Sequence, residues 1–507
     1  MSETAMAFYK AGRFEDAEAA FAEATAANPR DAAAWSGLAH AAAARLEHGR
    51  AIEAFRRAVT LGADTPAIRA NAARSLFALG EVSQAIRQNE RALAGADAEV
   101  RAKVLTNAMI MAPADPAVDN AALLRARRRW ARAEAASIRP LNARPARGAK
   151  LRIGYVGGFF GERNWMKMYA GVLNAHDRGR FEITLIADGA MPSPEAGYRE
   201  HDDDRIWDVE DADNAELAGH IAKAGMDVLV DLNGTSHMAR FALPLYRAAP
   251  VQVAWNGMYG TTGMDCIDAL IGDAWTIPVE EEQFCSEPVR RVSSTYLPFQ
   301  VFYPTPDVAP PPCLAAGHVT FGSLASAYKL TDPTIGTWAA VLRACPGSRL
   351  VLRNRAMGYG SNRDAVLARF AAQGIEAARL TLLGAAPHDE FLRTYDAIDI
   401  ALDSFPYSGG TTTAEAVWQG VPVLTTMGDR WAARTSRSIL MAAGFPDDVA
   451  ADADALVARA VALAAAPALL AERRATQRRK VAASPACDPA ALCRELEAIY
   501  EELAARA

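Results

Sequence analysis

The sequence predicts an α/β protein built of two doubly wound parallel-sheet halves, preceded by an all-α repeat. Three observations carry that reading. Small residues recur every 34 positions over the first hundred residues. From Lys150 onward, short apolar runs alternate with helical ones, which implies parallel strands covered by helices on both faces. That alternation stops at the proline-dense stretch Pro304 to Pro312 and restarts at Val319, as two separate halves would.

Composition limits the possibilities. A chain of 507 residues exceeds one hydrophobic core, so about two to four domains are expected. With 51 % hydrophobic and 22 % charged residues the chain falls among ordinary globular proteins. A net charge of −6 offers no general attraction to nucleic acid, and none is expected as a partner. The six cysteines, at 266, 285, 313, 345, 487 and 493, show neither metal-ligand spacing nor a disulfide framework. The polar start MSETAMAFYKAGRFEDAE lacks a signal-peptide core, and no run of about 18 apolar residues suggests a membrane span. A cytoplasmic location fits, and self-association is left open.

The repeat comes first. Ala17, Ala51 and Ala85 recur at the 34-residue spacing, as do Ala24, Ala58 and Ala92. Phe21 and Phe55 match, with Asn89 in the third copy; Trp35 and Leu38 fall where a first helix packs. Small alanines let paired helices approach closely, and the length is that of a tetratricopeptide (TPR) unit. About three units are expected over residues 1–110, near the minimum for a stable stack, with a concave face for a peptide or partner protein. Residues 111–148 read as a helical linker; its basic face, LLRARRRWARAEAA, reads as solvated.

Strands then alternate with helices over residues 149–310: Leu151 to Gly158, Phe181 to Ile186, Met226 to Leu232, Val251 to Trp255 and Ala269 to Gly272. Over residues 311–480 they are Val319 to Ser323, Arg349 to Arg353, Leu380 to Leu383, Asp399 to Leu402 and Val421 to Thr425. Residues 481–507 form an amphipathic helix that packs back on the fold. Two such halves place a ligand cleft at strand C-termini. The acidic run Asp202 to Asp204 reads as solvated, and no metal ligand set is assigned.

One segment points to chemistry: Leu402-Asp403-Ser404-Phe405-Pro406-Tyr407-Ser408-Gly409-Gly410-Thr411-Thr412-Thr413-Ala414-Glu415. A strand runs into a glycine loop and then a helix. Gly409 and Gly410 allow close backbone approach, and the helix N-terminus favours an anion. The hydroxyls of Thr411, Thr412 and Thr413 add donors for phosphate, and Glu415 lies about a turn further on, where a carboxylate can accept from a ribose. The bland alternative is a capped turn that binds nothing.

The stretch RAAPVQVAWNGMYGTTG (Arg247 to Gly263), together with Val319 to Ser323 and Lys329, resembles the O-GlcNAc transferase and Spindly family. The segment from Phe405 to Glu415 is closer to Spindly and its bacterial relatives. The likeness covers roughly residues 150 to 500. It implies a GT-B glycosyltransferase, inverting and metal-independent, that moves a sugar from a nucleotide diphosphate to Ser or Thr of a protein docked by the TPR units. It implies no cofactor beyond the nucleotide-sugar donor. By the same likeness Lys329 contacts the donor phosphates, Gly409 to Thr413 hold the diphosphate, and Glu415 holds the ribose.

The sequence departs from the family pattern after the first strand. Arg163 stands where a histidine is expected, and Phe159 where an aspartate is; Gly234 is followed by Thr235, with His237 displaced. Arginine stays protonated and cannot act as a base at neutral pH. Three explanations are open. The base comes from Glu162, Asp231 or His237; or Arg163 and Lys167 bind a donor carboxylate, as a nonulosonic acid used on flagellin or a surface protein would present; or catalysis is lost and a nucleotide-sugar-binding scaffold is left. Arg163, His237 and Lys329 are the candidate catalytic residues, and Asn233 joins His237 as a candidate for contact with acceptor or sugar.

Overall fold

The computed structural model describes residues 2–145 and 148–507. It opens with the helices α1 (Ser2–Lys10), α2 (Phe14–Ala27), α3 (Ala32–Ala44), α4 (His48–Thr60), α5 (Pro66–Ala78), α6 (Val82–Arg91) and α7 (Ala98–Met111). Their starts are legible in the chain. Asp31 caps α3 by accepting from Ala33 and Ala34 N–H at 2.9 Å, and Thr65 caps α5 with Pro66 at its first position. The repeating alanines Ala17, Ala51 and Ala85 are fully buried. Phe21 lies against Gly37, where any side chain would collide with its ring. Asn89, in place of a third phenylalanine, donates to Val104 O and accepts from Asn107, so its buried amide is satisfied.

Helix α8 (Asn120–Ala135) corrects the reading of the linker's basic face. Arg127 is completely buried, and its guanidinium donates to the carbonyls of Met109, Thr261 and Met258 at 3.1–3.3 Å. The periodicity that suggested a solvated charge run cannot distinguish a cation facing water from one facing buried carbonyls. Gly263, with φ +77°, completes the joint, since a Cβ there would fall 2.6 Å from Arg127 Cβ. Arg127→Met strands three carbonyls at ~1–3 kcal/mol each, so a loss of about 3 kcal/mol or more is expected in chemical unfolding. Exposed Arg129→Ala is the control and is expected to stay within about 0.5 kcal/mol.

The first lobe is a parallel sheet of β1 (Leu151–Gly157), β2 (Phe181–Ala187), β3 (Arg205–Asp208), β4 (Val228–Asp231), β5 (Val251–Ala254), β6 (Ala269–Asp273) and β7 (Val289–Val292). Its order is β3-β2-β1-β4-β5-β6-β7. The second lobe contains β8 (Thr320–Ser323), β9 (Arg349–Arg353), β10 (Leu380–Leu383), β11 (Ile400–Leu402), β12 (Val423–Thr426) and β13 (Val449–Ala450). They are ordered β10-β9-β8-β11-β12-β13. Strands β3, β7 and β13 were not foreseen. All three lie at sheet edges; β3 and β7 are charged and largely unburied, and β13 has two residues, so none shows an apolar run. Asp204, at the end of the acidic run, turns inward to a bidentate pair with Arg178 at 2.7 and 3.0 Å.

In each sheet strand order reverses once, between β1 and β4 and between β8 and β11. Loops leaving the C-terminal ends at such reversals diverge and open a crevice. The final helix, Pro489–Arg506, returns to the first lobe, where Glu497 accepts from Asp177 N–H and pairs with His176, both at 2.9 Å. Among the described residues no single helix is long and apolar enough to cross a membrane.

Candidate nucleotide-sugar site

The crevice of the second lobe collects the motif residues. The loop after β8 carries Lys329; the loop after β11 runs through Asp403 and Gly409 into the helix Thr411–Trp418. Asp403 holds that loop, accepting from Gly409 N–H and from the Thr425 hydroxyl, both at 2.7 Å. Gly410 precedes the helix without a side-chain cap, so its first N–H groups are left without a capping side chain at the positive end of the helix dipole. A side chain at Gly409 would run into the Thr413 hydroxyl, which gives that glycine a steric reason. Thr411 and Thr412 are half-buried at the helix start. The Thr413 hydroxyl is instead turned inward onto Ser436 at 2.7 Å and is not aimed at the crevice.

Lys329 Nζ donates to Ser408 O at 2.7 Å and lies 4.5 Å from the centre of the Tyr407 ring. Burial pushes its ammonium down to about 8, against the pull of Asp403. Tyr407 packs on Tyr328 and on Tyr259, with centroids 5.4 and 5.1 Å away. This aromatic cluster escaped the sequence reading. Its three rings come from three distant segments, and no spacing in the chain brings them together.

Glu415 is buried and forms an ion pair with Lys167, also buried, from the first lobe. Burial lowers the Lys167 pKa and Glu415 opposes that shift. Lys167, one of the two cations of the carboxylate-donor reading, thus already faces a carboxylate of the chain itself. Arg163 is exposed at the start of a four-residue helix, with its guanidinium 5.3 Å from the Tyr303 ring centre. Arg163 is not brought to Lys329 by any contact. Tyr303 bonds His388 at 2.9 Å, and burial lowers the His388 pKa.

The first-lobe crevice holds His237. Its Nε2 lies 2.6 Å from Asp188 Oδ2, and Arg240 donates to the other Asp188 oxygen at 2.6 Å. The ring packs edge-on to Phe159 and against Gly158. Asn233, by contrast, is fully buried: its Oδ1 accepts from Gly158 N–H at 2.7 Å and ties the β1 and β4 loops together. Burial pushes Asp231 up to about 6, against the Asn233 and Gly234 N–H groups it accepts from. Tyr259, from the loop after β5, reaches Tyr407 of the second lobe, so the two lobes meet through these rings. Arg434 bridges the lobes as well, with a bidentate pair to Glu281 at 2.6 and 2.7 Å.

Two doubly wound lobes with opposed crevices, a lysine and an uncapped helix N-terminus define the GT-B class of nucleotide-sugar glycosyltransferases. The chain belongs to glycosyltransferase family 41, whose model matches residues 136–300 and 313–496; a tetratricopeptide repeat model matches residues 3–68. It is 34 % identical over 304 residues to a tomato (Solanum lycopersicum) protein described as a probable UDP-N-acetylglucosamine--peptide N-acetylglucosaminyltransferase SPINDLY; the match takes in 59 % of this chain and 32 % of that one. With the SPINDLY protein of Arabidopsis thaliana identity is 30 % over 363 residues, 70 % of this chain and 39 % of that one. The chain thus spans well under half the length of these plant relatives. A mutant O-GlcNAc transferase from Thermobaculum terrenum superposes with a TM-score of 0.80 at 28 % identity, covering 99 % of this chain and 96 % of that one.

Proposed function

We propose that the chain is an inverting, metal-independent protein O-glycosyltransferase. It moves a sugar from a nucleoside diphosphate to Ser or Thr hydroxyls of a polypeptide docked by the TPR units. The observation that supports this most is that Lys329 Nζ donates to Ser408 O, three residues before the uncapped start of Thr411–Trp418. The neighbouring O-GlcNAc transferase and the SPINDLY proteins, described as peptide N-acetylglucosaminyltransferases, favour the same reading.

The chemistry follows from the two crevices. The acceptor oxygen attacks the anomeric carbon as its bond to the diphosphate breaks. Charge develops on the leaving phosphate, where Lys329 and the Thr411 and Thr412 N–H groups stabilise it without a metal. His237 is the base we favour. Asp188 orients its ring through Nε2, which leaves Nδ1 to take the acceptor proton. Glu162 is exposed, and Asp231 is buried and committed to backbone N–H groups.

A thermal-shift screen with UDP-, GDP- and CMP-sugars tests the reading, because a ligand that binds only the native form raises its stability. One class is expected to raise the midpoint, and transfer to protein is expected to survive EDTA. Binding without turnover under every condition would favour a nucleotide-sugar-binding scaffold over an enzyme.

A further inference from the structure

The TPR stack is joined to the second lobe, against the turn that carries Lys329. Phe77, from α5, stacks on Tyr328, with centroids 5.3 Å apart and planes 19° from parallel. Gly80, just past α5, faces the turn Ala327–Lys329: a Cβ there would fall 2.9 Å from Ala327 O and closer still to Leu330 O. Gly80 has φ +80°, which a side chain also disfavours. Arg369 secures the joint, donating to Leu79 O and to Asp332, both at 2.7 Å. Nearby, Asn362 donates to Leu46 O and accepts from Gly49 N–H.

We infer that the third TPR unit is a wall of the donor site, with Phe77 and Gly80 as positioning residues for Lys329. Phe77 holds Tyr328, Tyr328 holds Tyr407 edge-on, and the Lys329 ammonium rests on Tyr407 and Ser408 O. Gly80 fixes the height of the turn from below. The inference rests on the reading of Lys329 as a phosphate ligand. A repeat unit that only displayed a peptide-binding face would need no contact of this kind.

Gly62 supplies the control. It also sits two residues past a TPR helix, with φ +98°, but a Cβ there meets nothing within 4 Å. Gly80→Ala and Gly62→Ala therefore share the backbone strain and differ in the collision. Calorimetry with UDP is expected to show about ten-fold or greater weakening for Gly80→Ala and a change within about two-fold for Gly62→Ala. Phe77→Ala serves where Gly80→Ala does not fold; it should lower kcat as well as affinity, and Phe77→Leu should restore part of both.

Acetic anhydride labelling of Lys329, followed by mass spectrometry across pH, needs no ligand. The groups around its ammonium are the Tyr328 and Tyr407 phenols, held neutral by burial, and Asp403. The labelling midpoint should move from about 8 in the native chain toward the ordinary lysine value in Gly80→Ala or Phe77→Ala. An unmoved midpoint in folded variants, or equal UDP affinity for Gly80→Ala and Gly62→Ala, overturns the inference. If the native chain binds neither UDP, GDP nor CMP, the donor-site reading fails, and labelling alone decides the positioning claim.

Discussion

Lys329→Met is expected to reduce kcat by about 10²–10³-fold, the usual cost of removing one donor from a site where transition-state charge develops. The loss should fall on turnover more than on folding. Among the described residues Lys329 forms no ion pair with a carboxylate, and its one hydrogen bond goes to the Ser408 carbonyl. Methionine keeps the apolar stem against Tyr407 and removes only the cation. The free protein also predicts a pH signature. Burial brings the Lys329 pKa down to about 8, so below that pH the ammonium is charged and ready for a diphosphate. Above it a proton must be taken up on binding, and UDP affinity should fall by up to ten-fold per pH unit until the pKa of the complex is reached. In Lys329→Met this alkaline limb should vanish. Calorimetry between pH 6.5 and about 9.5 reads both effects. A limb that persists in the variant would assign the titration to another group and remove Lys329 from the phosphate site.

What could be read from the chain was local. Each half announces itself by apolar strands spaced by helices, and Gly409 to Thr413 lie consecutively in one turn. Lys329 needed the family likeness, since a lone lysine in a loop carries no pattern. The misreadings involve partners far apart in sequence. Arg127 looked like one more cation on a basic helix, and only the carbonyls of Met258 and Thr261, more than a hundred positions away, give it a buried role. Tyr259, Tyr328 and Tyr407 form one cluster from three segments. The Gly80 joint could not be anticipated either, because a repeat glycine past a helix end already has a sufficient local reason in its positive φ.

The same distance explains Glu415, and with it the second large effect. Its position one turn into the helix suggested a ribose ligand, yet its carboxylate meets an ammonium 248 positions away and bridges the lobes. Both side chains are out of water. Lys167→Met leaves Glu415 as an uncompensated buried charge and is expected to cost about 3–5 kcal/mol in chemical unfolding. Glu415→Leu alone should cost a similar amount by stranding Lys167. Together, Lys167→Met and Glu415→Leu remove both charges and fill the gap with apolar volume, so the double variant should recover most of the native stability. That recovery separates the two roles of Glu415. If the carboxylate also shares a lone pair with the ribose, the stable double variant should still bind UDP at least about ten-fold more weakly than the native chain. If it binds UDP as tightly as the native chain, the ion pair is the whole function of Glu415, and the ribose must be held by another group in the crevice.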